Sequence, residues 1–406
     1  MDDDADNAQY RIHFHTRQAA LQLPSDEVHA VPAKLTRQEL SDVVCALLGK
    51  RGDDAVALDF LWCDRLVQGS LAQHAAVLGL SREAVAEVEY FAASPEPTHA
   101  GAAACGDDWV GALGFARGGV VAGGYDGGLF WAADGAVAAT GAHDGAVTAV
   151  SAFGGGVATA GKDATVKLWR GAAGEALTPV STGAHAHAVA SLAEASDVLC
   201  SGDWGGMVFL WGAPEAGDEP APKRSRGAAK AAAWAPALTH KAHGQAVTGL
   251  AAAPGDRLWS CSWDRGVKVW DATAMEPRFN GTAQVALTCL ARPPAEGPDV
   301  AATGAHDGAV FVWDARCRPA SGVARGFRAH KHQSVSAVRW GGAASSLASC
   351  AQDGRVCLWD MRGASTTPVH VLAPPGLSKC LALAAAGDAL FVGGDAPQVH
   401  RFEGAA

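Results

Sequence analysis

One motif returns along most of this chain, and it constrains the fold more than any other feature. Six segments share a short apolar stretch, small residues, an Asp and then a strand-like run ending in Trp. They read GGYDGGLFW to Trp131, TAGKDATVKLW to Trp169, CSGDWGGMVFLW to Trp211, CSWDRGVKVWD to Trp270, TGAHDGAVFVWD to Trp313 and SCAQDGRVCLWD to Trp359. A degenerate seventh, VGGDAPQVHRF, ends at Phe402. The aspartates Asp126, Asp163, Asp203, Asp264, Asp307, Asp353 and Asp395 stand 37, 40, 61, 43, 46 and 42 residues apart. The long interval holds a segment rich in Ala, Pro and charge at about 213–238, and removing it restores a period of about 40. A unit of that length cannot bury an apolar face alone, so the copies must pack on one another.

Each unit reads as short strands bounded by Gly, Asp and Ser. Four strands per period of 40–45 residues with a terminal Trp-Asp (Trp270-Asp271, Trp313-Asp314, Trp359-Asp360) is the WD-repeat pattern of a β-propeller. Seven units close the ring and remove exposed sheet edges. The last unit lacks a fourth strand after Phe402, and the stretch just before Asp107 is placed to supply it. Units one, five and seven depart most from the pattern. His143, His185, His243 and His330 each precede an Asp by about 20 residues. The expected pairs are His143 with Asp163, His185 with Asp203, His243 with Asp264 and His330 with Asp353. With Trp169, Trp211, Trp270, Trp359 and the Asp307/Trp313 unit they form a structural repeat network, since four equivalent catalytic dyads in one chain are not expected.

Residues 8–92 have another rhythm. YRIHFHT alternates as a half-buried strand, and LTRQELSDVVCALLGK carries Leu40, Val43, Val44, Leu47 and Leu48 at helical spacing, with Thr36 as N-cap and Glu39 as its capping-box partner. AVALDFLW, a turn at CDRLVQGS and a strand VAEVEYF complete a ubiquitin-like β-grasp order with one helix. The fold class expected is mainly β: a seven-bladed WD-repeat propeller over 107–406, preceded by a small α+β ubiquitin-like domain at 8–92. A disordered acidic tail at 1–7 and a Pro/Ala/Gly linker at 93–106 flank that domain.

Composition narrows function by exclusion. The chain of 406 residues carries 32 Lys+Arg against 42 Asp+Glu, a net charge of −10, which argues against gripping nucleic-acid phosphates as its main task. No apolar run of membrane-spanning length occurs, and the start is acidic, unlike a secretory signal peptide. Ten cysteines without C-x-x-C spacing read as reduced, buried thiols. The segment Gly156 to Lys162 imitates a phosphate loop, but Asp163 stands where Ser or Thr would ligate magnesium. His13-x-His15, His185-x-His187 and His330-x-His332 have strand spacing that could place both rings on one face, with no evident third ligand. No motif supports an enzyme, a resident cofactor or a small-molecule substrate.

LDFLW-x(3)-LVQGSL and GLSREAVAEVEYF, followed by DDW at 107–109 and seven WD repeats, resemble the ribosome-biogenesis WD-repeat family of the PeBoW complex. The resemblance covers nearly the whole chain. It implies a non-enzymatic assembly factor for the 60S subunit, needed for pre-rRNA processing in the nucleolus and nucleoplasm. Its partners would be the block-of-proliferation protein, bound by the propeller, and pescadillo through the complex. The ubiquitin-like domain would be the handle by which the midasin ATPase releases the factor from pre-60S particles. By motif the family's acid falls on Glu83, offered in trans to the Mg²⁺ of midasin; Glu87 and Glu89 read as ordinary surface charges. Lys223, Arg224 and Arg226 read as a nuclear-localisation patch. The Notchless family, also a midasin substrate, is the nearest rival; a generic WD-repeat adaptor, such as a ubiquitin-ligase substrate receptor, is the other.

Overall fold

The computed structural model describes residues 8–404 apart from 51–53, 55, 64, 68, 82, 94, 117, 118, 134, 196, 214–231, 294–298, 317–322, 342–345 and 363–366. The acidic tail at 1–7 and Lys223, Arg224 and Arg226 therefore lie outside the described residues. The chain divides into two compact units, one of Met1–Pro95 with Asp360–Ser365 and one of Glu96–Trp359 with Thr366–Ala406.

The first unit holds one five-stranded sheet: β1 (Gln9–His15), β2 (Val28–Pro32), β3 (Leu58–Trp62), β4 (Arg65–Leu66) and β5 (Val85–Ala92), in the order β2-β1-β5-β3-β4. β1 and β5 run parallel at its centre, which is the β-grasp arrangement. Alternation along β1 turns Tyr10, Ile12 and Phe14 into the core and leaves Arg11, His13 and His15 on the other face. Helix α1 (Arg37–Leu47) packs Leu40 and Val44 against that core. Its start is fixed as the sequence suggests, with the Thr36 N–H donating to Glu39 Oε2 at 2.8 Å.

A second helix, α2 (Leu71–Leu78), corrects the one-helix reading. It is short, and its apolar residues do not stand out in the window, but its capping signal is present. The Gln73 N–H donates to Ser70 Oγ and the Ser70 N–H to Gln73 Oε1.

The second unit is seven sheets of four or five strands, and the mainly β WD-repeat propeller expected from the repeats is what the chain forms. The inner strands are Val110–Ala116, Val147–Phe153, Val189–Ala195, Val247–Ala253, Leu287–Ala291, Val335–Trp340 and Cys380–Ala386. Blade two gains a fifth strand, Ala232–Ala233, from the end of the insertion. There Trp234 stacks on Phe153 and donates its indole N–H to the Gly212 carbonyl. The linker read at 93–106 is shorter than its composition suggests, because β6 (Thr98–Ala104) pairs antiparallel with Gln398–Glu403 as the fourth strand of blade seven. THAGAAA carries too few β-branched residues to read as a strand alone; the free edge of the last blade makes it one.

Candidate functional site

Glu83 owes its position to a helix stop. Gly79 takes φ +65° at the end of α2, where a left-handed residue closes the helix, and the chain bends through Glu83 and Ala84 into β5. Glu83 is exposed there, with no hydrogen bond or ion pair to the described residues. Its two neighbours in sequence differ. Glu87 takes a hydrogen bond from His13 Nδ1 at 2.6 Å, and Glu89 pairs with Arg17 Nε at 3.0 Å. Of the three glutamates in this segment, Glu83 alone presents an uncommitted carboxylate. Beside it lies a surface concavity of about 720 Å³, lined by Leu61, Trp62, Leu80, Ala84 and Glu87 among others.

The histidines and aspartates of the repeats come together as paired, but in longer chains than the sequence shows. In blade two the Trp169 indole donates to Thr159 Oγ1 at 2.8 Å, the hydroxyl lies 2.8 Å from His143 Nε2, and His143 Nδ1 lies 3.0 Å from Asp163. The same chain runs Trp211–Ser201–His185–Asp203, Trp270–Ser260–His243–Asp264 and Trp359–Ser349–His330–Asp353. One hydroxyl can accept from the indole and donate to the ring nitrogen, so every group is satisfied in one direction. All four imidazoles are fully buried. Blade five has no His at the network position; its Trp313 donates to Thr303 Oγ1, and Asp307 accepts from the Ala309 N–H. Burial opposes ionisation of Asp163 and Asp264, but hydrogen bonds from His143 and His243 and from turn N–H groups overcome it. Both carboxyls stay well below the usual carboxylate range.

The hydroxyls were missed in the sequence, although each precedes its Trp by ten residues. Also missed were aromatic side chains outside the blade-core position. Trp204 and Trp263, next in sequence to Asp203 and Asp264, are half-exposed with ring centroids 6.3 Å apart, and Trp109 lies 5.7 Å from Tyr125. Gly156–Gly161 is a strand of blade two and not a loop. Nine cysteines are free among the described residues, eight buried and Cys63 exposed.

Residues 10–75 match the NLE (NUC135) domain, and residues 131–170, 234–271 and 323–360 match the WD domain, G-beta repeat. Over 389 residues the chain is 31% identical to the ribosome biogenesis protein WDR12 homolog of Oryza sativa subsp. japonica, covering 88% of each chain. The Chlamydomonas reinhardtii homolog of the same description is 32% identical over 399 residues, again with 88% of each chain covered. The Arabidopsis thaliana homolog is 27% identical over 395 residues, with 90% of each covered.

Proposed function

The chain belongs to the WDR12 family of ribosome biogenesis proteins, and from that premise we propose that it is a non-enzymatic assembly factor of the 60S subunit acting in the nucleolus and nucleoplasm. In this reading the propeller docks the block-of-proliferation protein and, through it, pescadillo. The first unit is the handle by which midasin pulls the subcomplex from the pre-60S particle. The observation that carries the reading is the uncommitted, exposed carboxylate of Glu83.

Mg²⁺ is a hard ion that takes oxygen ligands in an octahedron and keeps several waters. A single carboxylate cannot hold it, so Glu83 fits only as one ligand added to a shell that midasin supplies. An oxygen already tied into an ion pair, as in Glu87 or Glu89, would first have to give up its partner. The basic stretch at Lys223, Arg224 and Arg226 serves as an import signal in the same scheme.

The test is binding of the full chain to the metal-ion-dependent adhesion domain of midasin, with and without a Mg²⁺ chelator. Glu83→Ala is expected to weaken binding at least tenfold, and chelation to weaken the wild-type complex but not the variant further. Unchanged affinity in a folded Glu83→Ala protein removes the metal bridge.

A further inference from the structure

We propose that His13, His15 and Glu87 form a binding site for a divalent transition metal, with Zn²⁺ as the natural occupant by ligand type. The site is independent of the Glu83 reading. Residues 13 and 15 stand two apart on β1, so their rings share the outer face of the sheet, with centroids 6.2 Å apart and planes within 29°. The parallel pairing of β1 with β5 sets Glu87 directly opposite His13. One atom from each residue, two imidazole nitrogens and a carboxylate oxygen, lies within 4.8 Å of the others. His15 Nδ1 points at the same Glu87 oxygen, 3.7 Å away, that His13 Nδ1 contacts.

The other nitrogen of His13 decides the matter. Its Nε2 lies 2.5 Å from Asp26 Oδ1. A metal-bound histidine commonly donates its far N–H to a carboxylate, which fixes the ring and makes the near nitrogen a better ligand. An imidazolium between two acids would account for His13 alone, but not for a second imidazole beside it. Here one imidazole is held from both sides, and a second imidazole is turned toward the shared carboxylate. Two imidazoles and one carboxylate suit Zn²⁺ and its neighbours rather than Ca²⁺ or Mg²⁺. Three protein ligands leave a position for water or for a side chain of a partner. That position is served by the concavity, which His15 and Glu87 both line. On binding, His13 Nδ1 gives up its proton to solvent and takes the metal in place of its contact with Glu87, Nε2–H stays on Asp26, and Glu87 turns an oxygen to the same ion.

The experiment is calorimetric titration of the full chain with Zn²⁺, joined to X-ray absorption of the loaded protein. Cys63, exposed and lining the same concavity, is replaced by Ser throughout so that its thiol cannot bind the ion. One equivalent is expected, with two imidazoles in the metal shell. His15→Gln should lower affinity at least tenfold, and Asp26→Asn about 10–100-fold, as expected when a carboxylate that orients a ligating histidine is lost. The thermal transition without metal should persist in both variants, because both side chains are on the outer face. Equal affinity in a His13→Gln/His15→Gln protein, or a shell without imidazole, overturns the assignment.

Discussion

At the scale of single residues, the propeller rests on four buried chains in which Trp, hydroxyl, His and Asp are each satisfied by the next. The hydroxyl-to-Trp spacing is ten residues in every one, yet the Asp is not equally placed. Asp163, Asp264 and Asp353 sit in the turn after the second strand, whereas Asp203 is the last residue of its strand and fully buried. Its carboxylate still reaches His185, at 3.3 Å instead of 3.0 Å, and accepts from the Met207 N–H four residues on. The chain is therefore specified by where the carboxylate arrives and not by a fixed sequence offset. Asp163, Asp203 and Asp264 all have depressed carboxyl values in the fold: burial works against the charge, and hydrogen bonds from His and turn N–H groups outweigh it. The unfolded chain then binds more protons as pH drops through the ordinary Asp value near 4, so stability is present above that value and is lost below it. Asp264→Asn is expected to cost about 1.5–3 kcal/mol at pH 7, because it unmakes a part-buried charge-assisted bond to a buried imidazole. Its deficit against wild type should shrink between pH 5 and pH 3. Denaturant midpoints across that range check this, and a deficit independent of pH would refute it.

At the scale of elements, every inner strand carries a bulge at its second residue, where the register to the next strand slips. The bulge frees that side chain to reach the neighbouring blade. Thr148 donates to the Val189 carbonyl, Thr248 to that of Leu287 and Thr288 to that of Val335; beside the bulge in blade three, Ser191 donates to Val247. Blades two to six are stitched in series by hydroxyls. The stitching stops at Ser336, whose buried hydroxyl has no partner, and blade one has Gly111 at the bulge, where a Cβ would come within 2.5 Å of the Tyr125 ring. Thr288→Val should therefore cost about 1 kcal/mol of the denaturation free energy, and Ser336→Ala should be within about 0.5 kcal/mol of neutral or stabilising. Equal losses at the two sites would show that the bulge hydroxyl contributes through packing alone. None of this was legible in the sequence, since Val-Thr and Val-Ser pairs occur in any strand and a bulge leaves no compositional mark. What was legible follows the same logic. The period, the Trp and the buried pairs of His and Asp recur in register, and Glu39 and Thr36 announce α1 through their spacing. Helix α2 was obscured because LAQHAAVL is too short for its period to show, and only its Ser70/Gln73 capping pair marks it. The stretch before Asp107 was expected to complete the last blade and does so as β6, although THAGAAA carries no strand pattern of its own. Glu83 was found through its family motif; that its carboxylate is uncommitted while Glu87 and Glu89 are not needed the strand register.

At the scale of the whole propeller, closure depends on one joint. The chain enters blade seven twice, first as β6 and then as its last three strands, so the ring is shut by seven residues that precede it and by no covalent bond. This joint holds two histidines together: His99 Nε2 lies 3.2 Å from His400 Nδ1, with ring centroids 5.4 Å apart. Only one of those nitrogens can donate, and the far nitrogen of His400 is buried without a partner. Burial first, and the neighbouring His99 second, push the His400 imidazole below its ordinary value of 6.5. The folded ring then holds fewer protons than the opened one as pH falls below about 6.5, so the joint contributes full stability above that value and loses it on acidification. This window is separate from the one near pH 4 in which the turn aspartates act, so the two effects can be told apart on one protein. Hydrogen exchange, corrected for the intrinsic rate, should show residues 98–104 and 398–403 opening more often at pH 5.5 than at pH 7.5, with the inner strands of blades two to six unchanged. His400→Phe keeps a ring of similar size and removes the titrating group, so it should abolish the pH dependence. A joint that opens equally at both pH values in wild type, or that keeps its acid sensitivity in His400→Phe, would place the ring's weak point elsewhere.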